Sequence, residues 1–121
     1  MVVSQNTKVD FTTKANSFHS GITAKNGSIL IGDKAIEFYY EKNPNDFVQI
    51  PWQEIDKVRA QLYFNNRYIR GFFVDTKKNG SFNFVVKDAG KALKIMREYL
   101  GNDKIVKNVP FLSLKSLFKR K

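Results

Sequence analysis

The chain contains no cysteine and a single histidine, His19, among its 121 residues. Without cysteine it can form neither a disulfide nor a thiolate metal site, and one histidine without other ligands nearby in sequence is a poor metal site. His19 stands in Ser17–Gly21, a segment typical of a surface loop. We therefore expect no metal and no cofactor, and the lack of cysteine favours a cytoplasmic setting.

Long apolar runs are also missing. No stretch of about 18 apolar residues exists that could span a membrane, and residues 1–30 lack the basic and apolar regions of a signal peptide. The seven glycines do not follow a nucleotide-binding spacing. Two carboxylate pairs, Glu37/Glu41 and Glu54/Asp56, are expected on solvated faces, because nothing in the sequence brings either pair to one pocket. These observations argue against an enzyme.

Positive charge is in excess. The formal net charge is +10, from 21 Lys and Arg against 11 Asp and Glu. Residues 101–121 hold six cations and one anion, so this short segment carries half of the excess. A balance of this kind favours anionic partners such as an acidic protein surface, anionic lipid or nucleic acid.

Alternating apolar and polar residues predict about seven strands before residue 88. Asn26-Gly27 and Asn79-Gly80 are both typical of tight hairpin turns. The period then changes, and residues 88–100 predict one amphipathic helix with Asp88 as N-cap and Gly101 as C-cap. The core phenylalanines are expected to be Phe38, Phe64, Phe72, Phe82 and Phe84.

The order of these elements predicts the fold. It is mainly β with one C-terminal α-helix, a pleckstrin-homology-like, seven-stranded, antiparallel and partly open barrel capped by the helix. The barrel and helix would occupy residues 1–102, and 103–121 would be a basic, weakly amphipathic tail. Pro51 is tolerated at an edge or corner, so Ile50 and Trp52 are expected to point inward on either side of it.

Several segments resemble a bacterial family named domain of unknown function 956, whose fold is similar to pleckstrin and GRAM domains. They are "NTKVDF" (6–11), "GDKAIEFY" (32–39), "NDFVQIPWQEIDKV" (45–58), the stretch ending in "TKKNGSFNF" (73–84) and "KIMREYL" (94–100). Members are typically encoded beside the mannose-class sugar phosphotransferase permease of Gram-positive bacteria. The resemblance implies an accessory or regulatory role near that transporter and brings no catalytic motif.

One hairpin combines arginine and tyrosine in a manner typical of binding surfaces. The residues are Arg59, Tyr63, Arg67, Tyr68 and Arg70. Aromatic and cationic side chains on a sheet can stack nucleic-acid bases, but the phenylalanines follow the inward phase, so a nucleic-acid partner is disfavoured.

The tail is the other candidate surface. Phe111, Leu114, Leu117 and Phe118 share one side of a helical wheel at about 100° per residue. The tail residues assigned to partner binding are Lys104, Lys107, Phe111, Leu114, Lys115, Leu117, Phe118, Lys119, Arg120 and Lys121. Three interpretations stay open: a frayed basic terminus, a segment that binds a partner protein, or one that rests on anionic lipid.

The residues thus predict a non-enzymatic, cytoplasmic protein with a basic binding surface, and the family resemblance implies an accessory protein that contacts the permease at the inner face of the membrane. Two alternatives are a peripheral domain that binds anionic membranes and a nucleic-acid-binding regulator. A homo-oligomer is compatible with all three.

Overall fold

The computed structural model describes residues 4–18, 24–63 and 67–107. Within them eight strands form one sheet and a single α-helix follows the seventh strand. The strands are β1 (Val9–Ser17), β2 (Lys25–Gly32), β3 (Ala35–Tyr40), β4 (Phe47–Pro51), β5 (Ile55–Tyr63), β6 (Tyr68–Thr76), β7 (Ser81–Val86) and β8 (Ile105–Lys107). The helix α1 spans Ala89–Leu100, and 3₁₀ turns occupy Trp52–Glu54 and Asn102–Lys104.

The strand order is β4-β3-β2-β1-β7-β6-β5-β8. All neighbours are antiparallel except β5 and β8, which are parallel. Strand β1 pairs with β2 along its whole length, but with β7 only at Ala15–Ser17. The sheet therefore has two halves, joined through the last residues of β1.

The core lies between these halves and the helix. Phe84 of β7 contacts Phe38 of β3 at 5.8 Å and Phe72 of β6 at 6.2 Å between ring centroids. These three rings and Phe82 are buried, which confirms the predicted inward phase of their strands. Phe64 lies outside the described residues.

The helix begins one residue after the predicted Asp88 and ends at the predicted Leu100. Its buried face consists of Ala89, Ala92, Leu93 and Met96. Gly101 ends it at a φ of 87°, and its N–H donates to the carbonyl of Arg97. Asp88 is the N-cap residue, yet its backbone is left-handed (φ 57°) and its side chain makes no capping hydrogen bond. The predicted boundaries are confirmed, but the carboxylate does not cap the helix.

The chain continues in the sheet after the helix. Ile105, Val106 and Lys107 pair with Val58, Arg59 and Ala60 of β5, and Ile105 packs against the core. The sheet thus has one strand more than the seven predicted, and the helix is not the last element as expected. Three residues are too few for an alternating pattern to be recognised in the sequence.

Gly27 does not form the predicted hairpin turn, because it lies inside β2, paired with Ala15 and Tyr40. A Cβ at this position would lie 2.1 Å from the Tyr39 carbonyl oxygen and 2.7 Å from the Phe38 ring. The glycine is needed for close approach rather than for a turn. Gly80 does adopt the expected turn conformation, with a φ of 74°.

The Pro51-Trp52 corner follows the prediction. Pro51 ends β4, which lies at one edge of the described sheet, and Ile50 and Trp52 are both buried. The Trp52 indole Nε1 donates to the Gly32 carbonyl at 2.9 Å. Its ring stacks on Tyr99 of α1, with centroids 5.2 Å apart and planes within 5°. The only tryptophan therefore fixes the last turn of the helix to the corner.

Candidate interaction surface

Arg59 forms a structural ion pair. Its Nε and Nη2 donate to the two carboxylate oxygens of Asp75 at 2.7 and 2.9 Å, and its guanidinium lies 4.4 Å from the centre of the Phe73 ring. Burial raises the pKa of Asp75, but hydrogen bonds from Arg59 and Ser81 outweigh it and hold the pKa below its usual value. This bidentate geometry is a strong form of carboxylate binding. Arg59, which was predicted to bind a partner, thus binds Asp75 within the sheet.

Arg70 lies at the end of the same hairpin, with a different partner. The register of β5 and β6 shifts between Gln61 and Leu62, which leaves Arg70 as the extra residue of a bulge. Its Nη1 donates to the Tyr63 hydroxyl at 3.3 Å. Tyr63 and its cross-strand neighbour Tyr68 are 41% and 51% exposed. Arg70, Tyr63 and Tyr68 therefore lie together at the hairpin end, whereas Arg59 is paired with Asp75.

Arg67 and Tyr68 line a groove of about 470 Å³ between the start of β6 and the start of α1. Its other lining residues are Ile69, Val86, Lys87, Asp88, Ala89 and Gly90. The backbone N–H of Lys87 donates to the Lys14 carbonyl at 3.0 Å, which brings Lys14 beside the groove. Lys91 follows Gly90 in the helix, and its Nζ lies 5.5 Å from the Phe11 ring centre.

We refer to this groove, with Arg67 and Lys87 in its lining and the neighbouring Lys14 and Lys91, as the basic groove. Sequence reasoning found only Arg67, because the other three cations come from β1, the β7–α1 connection and α1. No short-range pattern links these segments. Their proximity follows from the pairing of β1 with β7, which is a property of the whole sheet.

Two tail cations lie within the described residues. The Lys104 Nζ donates to the Ile55 carbonyl at 3.0 Å, so this lysine holds the 3₁₀ turn against β5. Lys107 ends β8 and is exposed. The predicted tail residues Phe111, Leu114, Lys115, Leu117, Phe118, Lys119, Arg120 and Lys121 lie outside the described residues, as does His19.

Few cations have an acidic partner. In the described part of the chain, ion pairs join Lys8 to Asp10, Lys25 to Asp46 and Arg59 to Asp75. Among these residues, no cation of the basic groove takes part in an ion pair. Asp88 is the carboxylate in the described lining of the groove, and it forms an ion pair with none of these cations.

Glu37 was predicted on a solvated face, and this prediction is wrong. Its side chain is completely buried. The carboxylate accepts hydrogen bonds from Ser4 Oγ at 2.5 Å, the Gln5 N–H at 2.7 Å and Asn6 Nδ2 at 3.1 Å. A buried carboxylate is tolerated only when it is hydrogen-bonded in this way. We refer to residues 4–8, which cover Glu37, as the N-terminal strap.

Asn6 and Asp33 anchor the strap to the β2–β3 turn. The Asn6 amide accepts hydrogen bonds from the backbone N–H groups of Lys34 and Ala35, both at 2.8 Å, and donates to the Ala35 carbonyl at 3.1 Å. The Asp33 carboxylate accepts from the Thr7 hydroxyl and from the N–H groups of Thr7 and Lys8.

Acid should weaken the strap. The hydrogen bond from the Thr7 hydroxyl, followed by the Lys8 N–H, lowers the pKa of Asp33 from 3.8 to about 2. Because the folded-state pKa is below the unfolded value, Asp33 stabilises the fold above about pH 4, and this contribution is lost as pH falls towards 2. Thermal unfolding between pH 5 and 2 should therefore depend less on pH in Asp33→Asn than in the natural chain. Equal pH dependence in both would contradict the assignment.

Neither a cluster of metal ligands nor a membrane-spanning helix is present among the described residues. Ranges 4–18, 24–63 and 67–107 contain no group of three or more His, Asp or Glu that could hold a metal ion. No helix among them has the length and apolar character needed to cross a membrane. The arrangement presents cations and exposed tyrosines, which can bind a partner.

Comparison with solved structures defines the class of fold. The chain is similar to the crystal structure of the C-terminal domain of an unknown protein from Leishmania infantum, with a TM-score of 0.65 and 13% sequence identity. The similarity covers 77% of this chain and 84% of the other. At this identity the likeness shows the fold alone.

The family is shown by a sequence model. Residues 1–120 match the model described as "Domain of unknown function (DUF956)", and the chain belongs to this family. Comparison with curated proteins gives no match.

Proposed function

We propose that the protein is a non-enzymatic accessory or regulatory protein that contacts a mannose-family phosphotransferase sugar permease at the inner face of the membrane. Its fold is proposed to be a pleckstrin-like barrel, supported by the two half-sheets and by the helix that follows β7. Family membership supports the proposal through the gene neighbourhood typical of that family.

The observation that carries the proposal is the basic groove. Arg67 and Lys87 line it, Lys14 pairs with Lys87 beside it, and none of these cations is in an ion pair within the described chain. Cations without internal partners add little to stability but raise the affinity for an anionic partner and the rate of association with it. A protein contact uses both the cations and the exposed Tyr63 and Tyr68, since aromatic residues are enriched in interfaces.

Anionic lipid is the second candidate, favoured by the same cations. Each basic residue near an anionic membrane contributes about 1 kcal/mol. The nucleic-acid alternative is less well supported, because Arg59, one of the predicted stacking residues, is bound to Asp75.

Affinity capture from detergent-solubilised membranes tests the proposal. The full-length protein should retain permease subunits, and sedimentation with phosphatidylglycerol vesicles should show weaker binding that is lost at about 0.15 M salt. A full-length variant with glutamine at positions 115, 119, 120 and 121 tests the contribution of the tail. Strong vesicle binding without permease capture would favour the lipid alternative and reject the permease.

A further inference from the structure

We infer that the basic groove is the docking surface for an acidic segment of a partner protein, with carboxylates that flank apolar side chains. The inference rests on the proposed function and specifies which surface of the protein makes the contact. It is independent of the tail, which lies outside the described residues.

Like charges in the groove are placed against each other. Ala15 and Val86 are register partners, and the hydrogen bond from Lys87 to Lys14 continues the pairing by one position. Like charges directly opposite each other on neighbouring strands are destabilising. Neither lysine has an acidic partner within the described chain, so the fold gains nothing from this arrangement. An anionic group from outside would relieve the repulsion.

The shape of the groove favours a protein segment over a small anion. Tyr68 is exposed and Ile69 half-buried, so they present apolar surface in the groove, whereas Val86 and Ala89 are buried and offer almost none. Arg67 and Lys87 also line it, one just before β6 and one just after β7. A phosphate ion would use the cations alone, whereas a peptide of alternating acidic and apolar residues would also contact Tyr68 and Ile69.

Asp88 restricts how such a segment can bind. It is the one carboxylate among the residues that line the groove. Its charge repels an acidic ligand, so carboxylates are expected beside Lys14, Arg67 and Lys87 and away from the first turn of the helix. Lys91, at the far side of Gly90, provides a further cation for a longer segment.

A short fluorescein-labelled peptide of alternating glutamate and leucine provides the probe, with glutamine in place of glutamate as the uncharged control peptide. Binding to the full-length protein is measured by anisotropy at low salt, and the site is located by amide chemical shifts. We expect binding of the acidic peptide only, with the largest shifts at Arg67, Lys87 and Gly90. The double variant Lys14→Glu/Lys87→Glu should weaken binding about tenfold, equivalent to about 1.4 kcal/mol.

The matched control is Lys34→Glu/Lys42→Glu, which changes the net charge equally at exposed positions away from the groove. It should change affinity less than about twofold, an effect of long-range charge alone. Arg67→Gln, which removes one groove cation without reversing it, should give a smaller loss than the groove double variant. Thermal unfolding checks that all variants fold.

Three outcomes would overturn the inference. The first is an equal loss of peptide affinity in the two double variants. The second is amide chemical-shift changes that lie outside the groove. The third is that inorganic phosphate or phosphatidylglycerol vesicles bind at the groove and the peptide does not. Permease capture that is unchanged in Lys14→Glu/Lys87→Glu would reject the groove and leave the proposed function standing. Failure of the natural chain to capture permease, with peptide bound in the groove, would reject only the proposed function.

Discussion

Trp52→Ala should lower the free energy of unfolding by about 4 kcal/mol, the range expected for truncation of a large buried aromatic side chain. The change would leave a cavity beneath the last turn of α1 and remove the stack on Tyr99. It would also leave the Gly32 carbonyl without the indole donor that lies 2.9 Å away. Since total stability is about 5–15 kcal/mol for a domain of this kind, the variant should be close to unfolding at elevated temperature.

Urea denaturation followed by circular dichroism gives this value, because the variant has no tryptophan for fluorescence. Trp52→Phe is the matched control, since it keeps a ring against Tyr99 but lacks the indole N–H. The decrease in the free energy of unfolding should be clearly smaller for Trp52→Phe than for Trp52→Ala. A loss below about 1 kcal/mol for Trp52→Ala, a value typical of surface positions, would show that the corner does not hold the helix.

Asn6→Ala should lower the free energy of unfolding by about 3 kcal/mol, although Asn6 precedes the first strand. The amide makes four hydrogen bonds, with the Lys34 and Ala35 N–H groups, the Ala35 carbonyl and the Glu37 carboxylate. Each hydrogen bond contributes about 1 kcal/mol, and a buried partner left without one costs about 1–3 kcal/mol. The substitution would remove the acceptor of the Lys34 and Ala35 N–H groups. The buried Glu37 carboxylate would keep only the donors of Ser4 and Gln5.

Gln5→Ala is the control within the same strap. The Gln5 side chain makes an exposed contact of 3.4 Å to Gln49, while its backbone N–H, which the substitution keeps, donates to Glu37. Its expected cost is below about 0.5 kcal/mol. Both values come from urea denaturation, with hydrogen exchange of the Ala35 amide as a local probe. Equal effects of the two substitutions would mean that the Asn6 amide does not anchor the strap.

Local patterns were sufficient to predict a mainly β chain with one helix. The inward phase of Phe72, Phe82 and Phe84 follows from alternation along single strands, and α1 follows from a change of period between residues 88 and 100. Both depend on neighbours within one element. The turn at Gly80 likewise was predicted from two adjacent residues, Asn79 and Gly80.

Contacts between distant segments could not be predicted. Glu37 has the alternation of an outward residue, and only the strap, 32 and 33 residues away at Gln5 and Ser4, buries it. The family resemblance did point to both segments of this contact, because "NTKVDF" and "GDKAIEFY" are two of the segments that carry it. They contact each other through Asn6 with Glu37 and Thr7 with Asp33.

The candidate surface was predicted in part. The Arg/Tyr hairpin was found from composition, but the engagement of Arg59 by Asp75 depends on the register of β5 and β6. Lys14, Lys87 and Lys91 were not singled out, since isolated lysines carry no local pattern. The basic groove exists only because β1 crosses to β7 at its end.

Binding of the full-length protein to a purified mannose-class permease in lipid nanodiscs tests the central claim most directly. The account predicts saturable binding at a fixed stoichiometry, weakened by salt and by Lys14→Glu/Lys87→Glu, with empty nanodiscs of the same lipid giving a much smaller signal. Equal binding to empty and permease-loaded nanodiscs, or no binding at low salt, would contradict it.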